Sequence, residues 1–209
     1  ANILKPASGL LPSIKDKTLY PHPTDLLGDL LDPKYKRNLK TEKYLHEPKT
    51  DIQYELRRNN KRNSYRRKGD LITEQEYSDH KPNIVKKYAY MISNDGKVPK
   101  NMKTKKFAQR LIPKKWSEGG PNITATSLPD DFVHYAQPRS LTVREWARLQ
   151  KIPAWNEFSG KRTTGGKRRA GDPSKGDWKR ETPKYTQIGN AVPVKLASEI
   201  GNHIRKLIL

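Results

Sequence analysis

The chain has no cysteine among its 209 residues. Disulfide bonds, thiolate metal sites and a cysteine nucleophile are therefore excluded within this sequence. Hydrophobic residues make up only 33% of the chain, which is below the usual share of a compact domain, and there are 16 prolines. This composition predicts a modest core and many loops, arranged as one domain or two small ones.

Long apolar runs are missing as well. No segment approaches the roughly 18 to 20 apolar residues that span a bilayer, and the N-terminal residues lack the apolar core of a signal peptide. We therefore expect an intracellular protein, cytoplasmic if its source is bacterial. His80 and His134 stand apart from any cluster of carboxylates, so we expect hydrogen-bonded surface or core residues and no metal site.

Acidic residues are scarce. The chain has 22 Asp and Glu and 43 Lys and Arg, which gives a formal charge of +21. A positive field of this size concentrates phosphate backbones at the protein surface and makes their binding dependent on salt. The composition thus predicts a nucleic-acid partner, and the alternative is a soluble protein that is merely well charged.

The densest positive charge lies in residues 57–68, where Arg and Lys alternate with Asn, Ser and Tyr. These residue types bond phosphates and base edges. Such a run is often only a solvated face, but within an already basic chain it indicates contact with DNA or RNA. The candidates in it are Arg57, Arg58, Arg62, Arg66 and Arg67.

The first third of the chain has weak periodicity. Residues 1–20 are predicted to be an extended lead-in, followed by a short helix in 23–31 with its N-cap at Thr24 and apolar residues at helical spacing. Residues 32–106 are polar and basic with scattered aromatics, and we expect short strands and long loops there. Residues 121–126 are β-branched at alternate positions and predict a strand.

A more specific pattern occupies residues 139–150. Thr142 and Glu145 have the spacing of a capping box, which predicts a helix from about Val143. Arg144 and Arg148, four positions apart, share one face of this helix, and an apolar face lies beside them. Pro153 stops further winding.

Residues 159–180 are rich in glycine and cations, including Lys167 and Arg168. The glycine spacing does not fit a phosphate-binding loop, because Gly166 stands where the lysine is required. Two interpretations stay open: the loop follows a DNA backbone, or it is a mobile surface loop.

The segment 185–194, Tyr-Thr-Gln-Ile-Gly-Asn-Ala-Val-Pro-Val, opens the last predicted helix. Pro193 suits the first helical position, and an apolar stripe follows at helical spacing. Gly189 allows a ligand to approach the backbone closely, and Asn190 offers both a donor and an acceptor. The stripe consists of Leu196, Ala197, Ile200, Ile204, Leu207 and Ile208.

Together, segments 139–150 and 185–194 resemble the ninth and tenth motifs of the DNA (cytosine-5) methyltransferases. The resemblance is close over roughly residues 110–209. It implies that the chain binds double-stranded DNA, and that Asn190 and Ala191 contact S-adenosylmethionine. Asn122 stands where family members often place a threonine at the recognition edge. Six further residues are DNA-binding candidates in addition to the arginines of 57–68. They are Asn122, Thr124, Arg144, Arg148, Lys167 and Arg168.

The fold class expected from this resemblance is α+β. It comprises a small, loop-rich, β-containing target-recognition domain in 32–152 and a final segment, 185–209, whose helix completes a Rossmann-like methyltransferase domain. Residues 1–31 link to the catalytic half, and residues 153–184 form the basic, glycine-rich loop.

Three parts of the family pattern are missing: the glycine-rich cofactor loop, the Pro-Cys nucleophile loop and the Glu-Asn-Val segment. The chain therefore has no catalytic residue of its own, and we expect another chain, or a missing N-terminal part of this one, to supply the catalytic half of a restriction-modification enzyme. The alternative is a stand-alone nucleic-acid-binding protein or a degenerate relic. A stand-alone binder would bury the stripe of the last helix, whereas a methyltransferase half would leave part of it exposed.

Overall fold

The computed structural model describes residues 21–60, 64–103, 109–116, 131–163, 173–176 and 182–208. The helices are α1 (Pro23–Leu27), α2 (Asp51–Leu56), α3 (Pro82–Ser93), α4 (Val143–Leu149), α5 (Lys184–Asn190) and α6 (Val194–Ile208). Short 3-10 turns cover Gly28–Leu30, Lys100–Met102 and Pro173–Lys175. The strands are β1 (Arg110–Leu111) and β2 (Phe132–Val133).

The β structure is small. β1 and β2 pair in parallel, with Arg110 opposite Phe132, and the ladder continues as the Ile112 N–H donates to the Val133 carbonyl at 2.9 Å. Isolated antiparallel bridges join Lys40 to Glu76 and Lys43 to Leu71. The mixture of helices with little sheet confirms the α+β class.

The expectation of short strands and loops throughout residues 32–106 was wrong in two places, because α2 and α3 are helices. In α3, Pro82 occupies the first turn, where its missing N–H costs nothing. The helix buries Tyr88 and Met91. Lys86 and Lys87, directly before Tyr88, interrupt this short apolar stripe in the sequence.

Helices α1, α4 and α5 enclose the main core around Trp146, which is fully buried. The rings of Phe132 and Tyr185 meet its indole edge-on, with centroids 5.7 and 5.8 Å away. The Tyr185 hydroxyl donates to the Leu141 carbonyl at 2.7 Å. The two segments singled out in the sequence, 139–150 and 185–194, therefore meet in one core.

The predicted helix starts are confirmed for α4 and corrected for α1. In α4 the Thr142 hydroxyl accepts from the Glu145 N–H at 3.2 Å, and the Thr142 N–H donates to the Glu145 carboxylate at 2.9 Å. The N-cap of α1 is His22 and not Thr24, because Pro23 already takes the first helical position. The His22 N–H donates to the Asp25 carboxylate at 3.0 Å.

The predicted C-terminal helix is confirmed as α6, which runs over Val194–Ile208. Much of its apolar stripe lies in solvent: Leu196 is 47% exposed and Ile204 is 39% exposed. Helix α5, directly before it, was not predicted. The predicted lead-in 1–20 and strand 121–126 lie outside the described residues.

Candidate nucleic-acid interface and helix junction

An acidic side chain, Asp29, holds two arginines inside the protein. The Arg57 Nε atom donates to Asp29 Oδ2 at 2.6 Å, and Arg148 donates to both Asp29 oxygens through its two Nη atoms. All three side chains are at most 1% exposed. Arg57 also donates to the His46 carbonyl, and Arg148 also donates to the Leu26 carbonyl.

A second buried ion pair lies at the start of α4. Arg139 donates from Nη1 and Nη2 to the two Glu145 carboxylate oxygens, each at 2.7 Å. Burial alone would raise the pKa of Glu145, but the charge and hydrogen bonds of Arg139 outweigh it and lower that pKa to about 2. The Gln75 amide also donates to Glu145, so the pair ties α4 to the preceding polar region.

His134 lies beside this pair as a fully buried core residue. Its Nδ1 atom accepts from the N–H groups of Ala136 and Gln137, at 3.0 and 3.2 Å. Burial lowers the pKa of His134 to about 3, with a smaller contribution from the positive charge of Arg139. The imidazole is therefore neutral at physiological pH and belongs to the structure of the loop before α4.

Arg144 is buried on the other side of α4. It donates to the Thr73 hydroxyl at 2.7 Å and to the carbonyls of Pro153 and Asn156 at 3.2 Å. Burial is the main cause that lowers the pKa of Arg144 to about 10.

The burial of Arg57, Arg144 and Arg148 corrects their interpretation as DNA-binding residues. Their guanidinium groups are engaged inside the protein, so none of them is presented to a phosphate or a base. No local pattern indicates the burial of Arg57 and Arg148, because their partner Asp29 lies 28 and 119 positions away.

Residues 57–60 and 64–68 form what we call the basic ribbon. Arg58 and Tyr65 make an antiparallel bridge, flanked by hydrogen bonds from the Asn59 N–H to the Ser64 carbonyl and from the Arg66 N–H to the Arg57 carbonyl. Arg57 is the C-cap of α2, with φ −89° and ψ 1°, and its side chain enters the core, whereas Arg58, which makes the bridge to Tyr65, faces solvent. Arg57 therefore anchors the ribbon in the core, and Arg58 is exposed on its surface.

Two other predicted arginines of the ribbon are on its surface. Arg67 is exposed, and its guanidinium lies 5.6 Å from the centroid of the Tyr65 ring. Arg66 is half-buried and donates to the Leu71 carbonyl at 2.9 Å. The Tyr54 ring packs edge-on against Tyr65, with centroids 4.9 Å apart. Aromatic packing therefore orients the exposed cationic side of the ribbon.

The junction between α5 and α6 contains the two residues predicted to contact a cofactor. Asn190 is exposed, and no described residue hydrogen bonds to its side-chain amide. Ala191 is extended and packs against the main core. The Val194 N–H donates to the Gln150 carbonyl at 3.3 Å, which attaches the junction to the end of α4. These residues fit one edge of a ligand site, since one side of the junction is fixed and the other is open.

The remaining predicted contacts, Arg62, Asn122, Thr124, Lys167 and Arg168, lie outside the described residues. Within the described ranges, no group of three or more His, Asp and Glu side chains is placed to hold a metal ion. Of the helices that the structure describes, none has the length and apolar character needed to cross a membrane.

Comparison with known proteins identifies a family. Residues 13–206 match the model of the C-5 cytosine-specific DNA methylases. The type II methyltransferase M.AquIB of Picosynechococcus sp. is 31% identical over 139 residues, which cover 66% of this chain and 91% of that protein. The type II methyltransferase M.DdeI of Desulfomicrobium norvegicum is 38% identical over 80 residues, which cover 38% of this chain and 17% of that protein.

A solved structure shows the same fold. It is a DNA modification methyltransferase encoded within a prophage of E. coli, with a TM-score of 0.51 and 18% identity. The match covers 89% of this chain and 47% of that one. The chain therefore spans about half of the solved methyltransferase and less than a fifth of M.DdeI, but most of M.AquIB.

Proposed function

Because the chain belongs to the C-5 cytosine-specific DNA methylase family, we propose that it is the target-recognition part of a DNA (cytosine-5) methyltransferase of a restriction-modification system. In this proposal the chain also completes the S-adenosylmethionine pocket, and a second chain or a further segment supplies the catalytic half. The junction between α5 and α6, fixed to the core on one side and open on the other, is the observation that carries the proposal.

The division of labour follows from chemistry. Methyl transfer to C5 of cytosine needs a nucleophile that adds to the flipped-out base, and the family uses a cysteine, which this sequence does not contain. The comparison with M.AquIB supports a short chain of this type, since 139 aligned residues make up 91% of that methyltransferase.

The exposed stripe of α6 supports the need for another half. A stand-alone nucleic-acid-binding protein would bury this stripe within its own chain, yet Leu196 and Ile204 remain well exposed among the described residues. Docking of the catalytic half against α6 would cover the stripe and bring the Asn190 edge to the cofactor.

The residues at the junction between α5 and α6 have simple roles in cofactor binding in this proposal. S-adenosylmethionine, when bound, supplies the electrophilic methyl group. The Asn190 amide offers a hydrogen-bond donor and an acceptor to the cofactor. The small Ala191 side chain lets the polar groups of the cofactor come close to the backbone. The hydrogen bond from Val194 to Gln150 holds this edge in register with α4.

The basic ribbon is the proposed DNA-contacting surface. Arg58 and Arg67 are exposed, and cations at such positions bind phosphates with an affinity that falls as salt is raised. In Arg58→Ala/Arg67→Ala, we expect DNA affinity to fall. The slope of log affinity against log salt concentration should become shallower by about two, because two phosphate contacts are lost. Lys36→Ala, which removes an exposed cation elsewhere, is the matched control. An affinity no weaker than that of the control would refute this assignment.

The function is tested by methyl transfer from labelled S-adenosylmethionine to DNA, with this chain alone and after co-expression with proteins encoded beside it. We expect transfer only with a neighbour. Asn190→Trp should abolish transfer in the assembled enzyme and leave DNA binding intact. Retained DNA binding without transfer in any combination would favour the stand-alone binder or the relic.

A further inference from the structure

Helix α3 presents a surface that the basic ribbon does not include. Its twelve residues make about 18 Å of helix at 1.5 Å per residue. The exposed positions fall within about 120° of one another around the axis, given 100° per residue. They are Pro82, Asn83, Lys86, Ala89, Tyr90 and Ser93.

The opposite side of α3 is fixed to the protein. Tyr88 and Met91 are buried there in a small cluster with Val133 of strand β2. The Tyr88 hydroxyl accepts from the Gln109 amide at 2.8 Å, and the His80 ring meets the Tyr88 ring edge-on. The helix is therefore held rigidly along one side and leaves the other side to solvent.

The exposed side of α3 has unusual chemistry for a solvated helix. It carries no acidic residue, and Lys81, directly before the helix, adds a further exposed cation. Asn and Lys side chains are among those that hydrogen bond base edges in the major groove. Ala89 and Ser93 are small, so the backbone there can come close to a flat or concave partner.

The charges around α3 complete this surface. Lys97, Lys100 and Lys103 follow the helix and are exposed, with no ion pair to any described residue. Asp95 is the acidic residue in the segment that contains these lysines. Asp79, which precedes the helix, lies 3.8 Å from the Arg37 guanidinium. The helix therefore has exposed cations before its first residue and after its last, which suits a partner that carries phosphates.

We propose that α3 is a recognition helix that enters the major groove of double-stranded DNA, with Asn83 and Lys86 facing base edges. The proposal rests on the proposed function and adds a second DNA-contacting surface to the basic ribbon. The dimensions agree, since a helix with side chains is about 10 to 12 Å wide and the groove is about 12 Å wide. The small residues Ala89 and Ser93 allow the helix to reach the floor of the groove.

The lack of cysteine permits a direct test of position. Ala89→Cys introduces a single thiol on the exposed face, about 60° around the axis from Lys86 at 100° per residue, and Ser198→Cys introduces one at an exposed position of α6, as the matched control. Each full-length variant is mixed with duplexes that carry a tether ending in a mixed disulfide with a small thiol, attached either to cytosine N4, which projects into the major groove, or to a phosphate. The thiolate of the protein displaces the small thiol and forms the new disulfide by exchange. We expect Ala89→Cys, and not Ser198→Cys, to form a disulfide with the N4-tethered duplex.

Two results would overturn the proposal. Reaction of Ala89→Cys only with the phosphate-tethered duplex would place α3 beside the backbone, and reaction no faster than that of Ser198→Cys would make its face an ordinary solvated surface. In either case, DNA affinity that still depends on Arg58 and Arg67 would leave the proposed function standing. Failure of the unaltered chain to bind duplex DNA would instead refute both.

Base reading is tested separately by selection from a pool of randomised duplexes. Asn83→Ala and Lys86→Ala should each reduce the preference for the selected sequence by about tenfold or more, because a good base contact is lost. Lys36→Ala is the control for removal of one positive charge and should keep the preference. An unchanged preference in both α3 variants would contradict the assignment of Asn83 and Lys86.

Discussion

Helices α4 and α6 reverse the usual arrangement of polar and apolar surface. Helix α4 buries charged side chains, including Arg144, Glu145 and Arg148, almost completely. Helix α6 leaves large apolar side chains such as Leu196 and Ile208 in solvent. A buried charge is tolerated only when it is paired, and an exposed apolar stripe is typical of a surface that binds something else.

The difference indicates which parts of the chain are structurally complete. Arg148 and Glu145 find their counter-charges within the same chain, in Asp29 and Arg139, and Arg144 donates to the Thr73 hydroxyl and to backbone carbonyls. The stripe of α6 has no comparable cover among the described residues. We therefore expect substitutions in the α4 network to affect folding of the isolated chain, and substitutions in the α6 stripe to affect assembly.

The largest expected effect is that of Asp29→Asn. This change leaves the buried Arg57 and Arg148 without a counter-charge, and breaking such a cluster costs about 3 to 5 kcal/mol of unfolding free energy. Urea unfolding of the isolated chain measures it. Glu199→Gln, which removes a carboxylate from α6, is the control. A loss for Asp29→Asn as small as that of the control would mean that α4 is not fixed by its charges.

The second prediction concerns pH. The pKa of His134 is about 3 in the folded chain and 6.5 ordinarily, so below pH 6.5 the unfolded chain binds a proton that the folded chain cannot. Stability therefore declines as pH falls from 6.5 towards 3. Glu145, with its pKa lowered from 4.5 to about 2, contributes stability above pH 4.5 that is lost as pH falls towards 2.

His134→Asn separates these two contributions. We expect the urea midpoint of the unaltered chain to begin to fall near pH 6.5, and that of His134→Asn to begin to fall near pH 4.5. His46→Asn replaces an exposed histidine and is the control. Identical pH profiles for all three proteins would contradict the neutral, buried state of His134.

The third prediction tests α6. Leu196→Ser/Ile204→Ser should change the unfolding free energy of the isolated chain by no more than about 1 kcal/mol, because both side chains are already well exposed. The same variant should lose methyl transfer and co-purification with the catalytic half. A large loss of stability in the isolated chain would show that α6 packs on its own chain, and would weaken the contrast with α4.

The smallest expected effect is that of Lys195→Ala. Lys195 and Glu199 form an exposed pair one turn apart on α6, at 3.4 Å. Such pairs contribute about 0.3 to 0.5 kcal/mol, and salt screens them. The unfolding free energy of this variant, measured in low and in high salt, gives the scale against which the buried pairs of α4 are compared.

The parts of the fold that the sequence predicted are those with local signals. The capping box of Thr142 and Glu145 defines the start of α4, and the apolar spacing after Pro193 defines α6. Helix α3 was missed because its buried stripe is short and lysines interrupt it. Packing against strand β2 stabilises this segment as a helix. The local sequence pattern does not contain that contact.

The candidate site was predicted in outline but not residue by residue. The basic run 57–68 indicated the ribbon, yet the inward direction of Arg57 depends on its place at the end of α2 and on Asp29, which lies 28 positions away. Arg57 and Arg58 are neighbours of the same type, and only one is exposed. Composition alone cannot separate an arginine that binds a partner from one that holds the interior together.

The Asp29 cluster has a consequence for how the chain folds. Asp29 and Arg148 are 119 positions apart, so the pair cannot form until the residues between them have been synthesised. Contacts of such long sequence separation slow folding, because a large loop must close before they form. We expect nascent chains that end before α4 to remain incompletely folded.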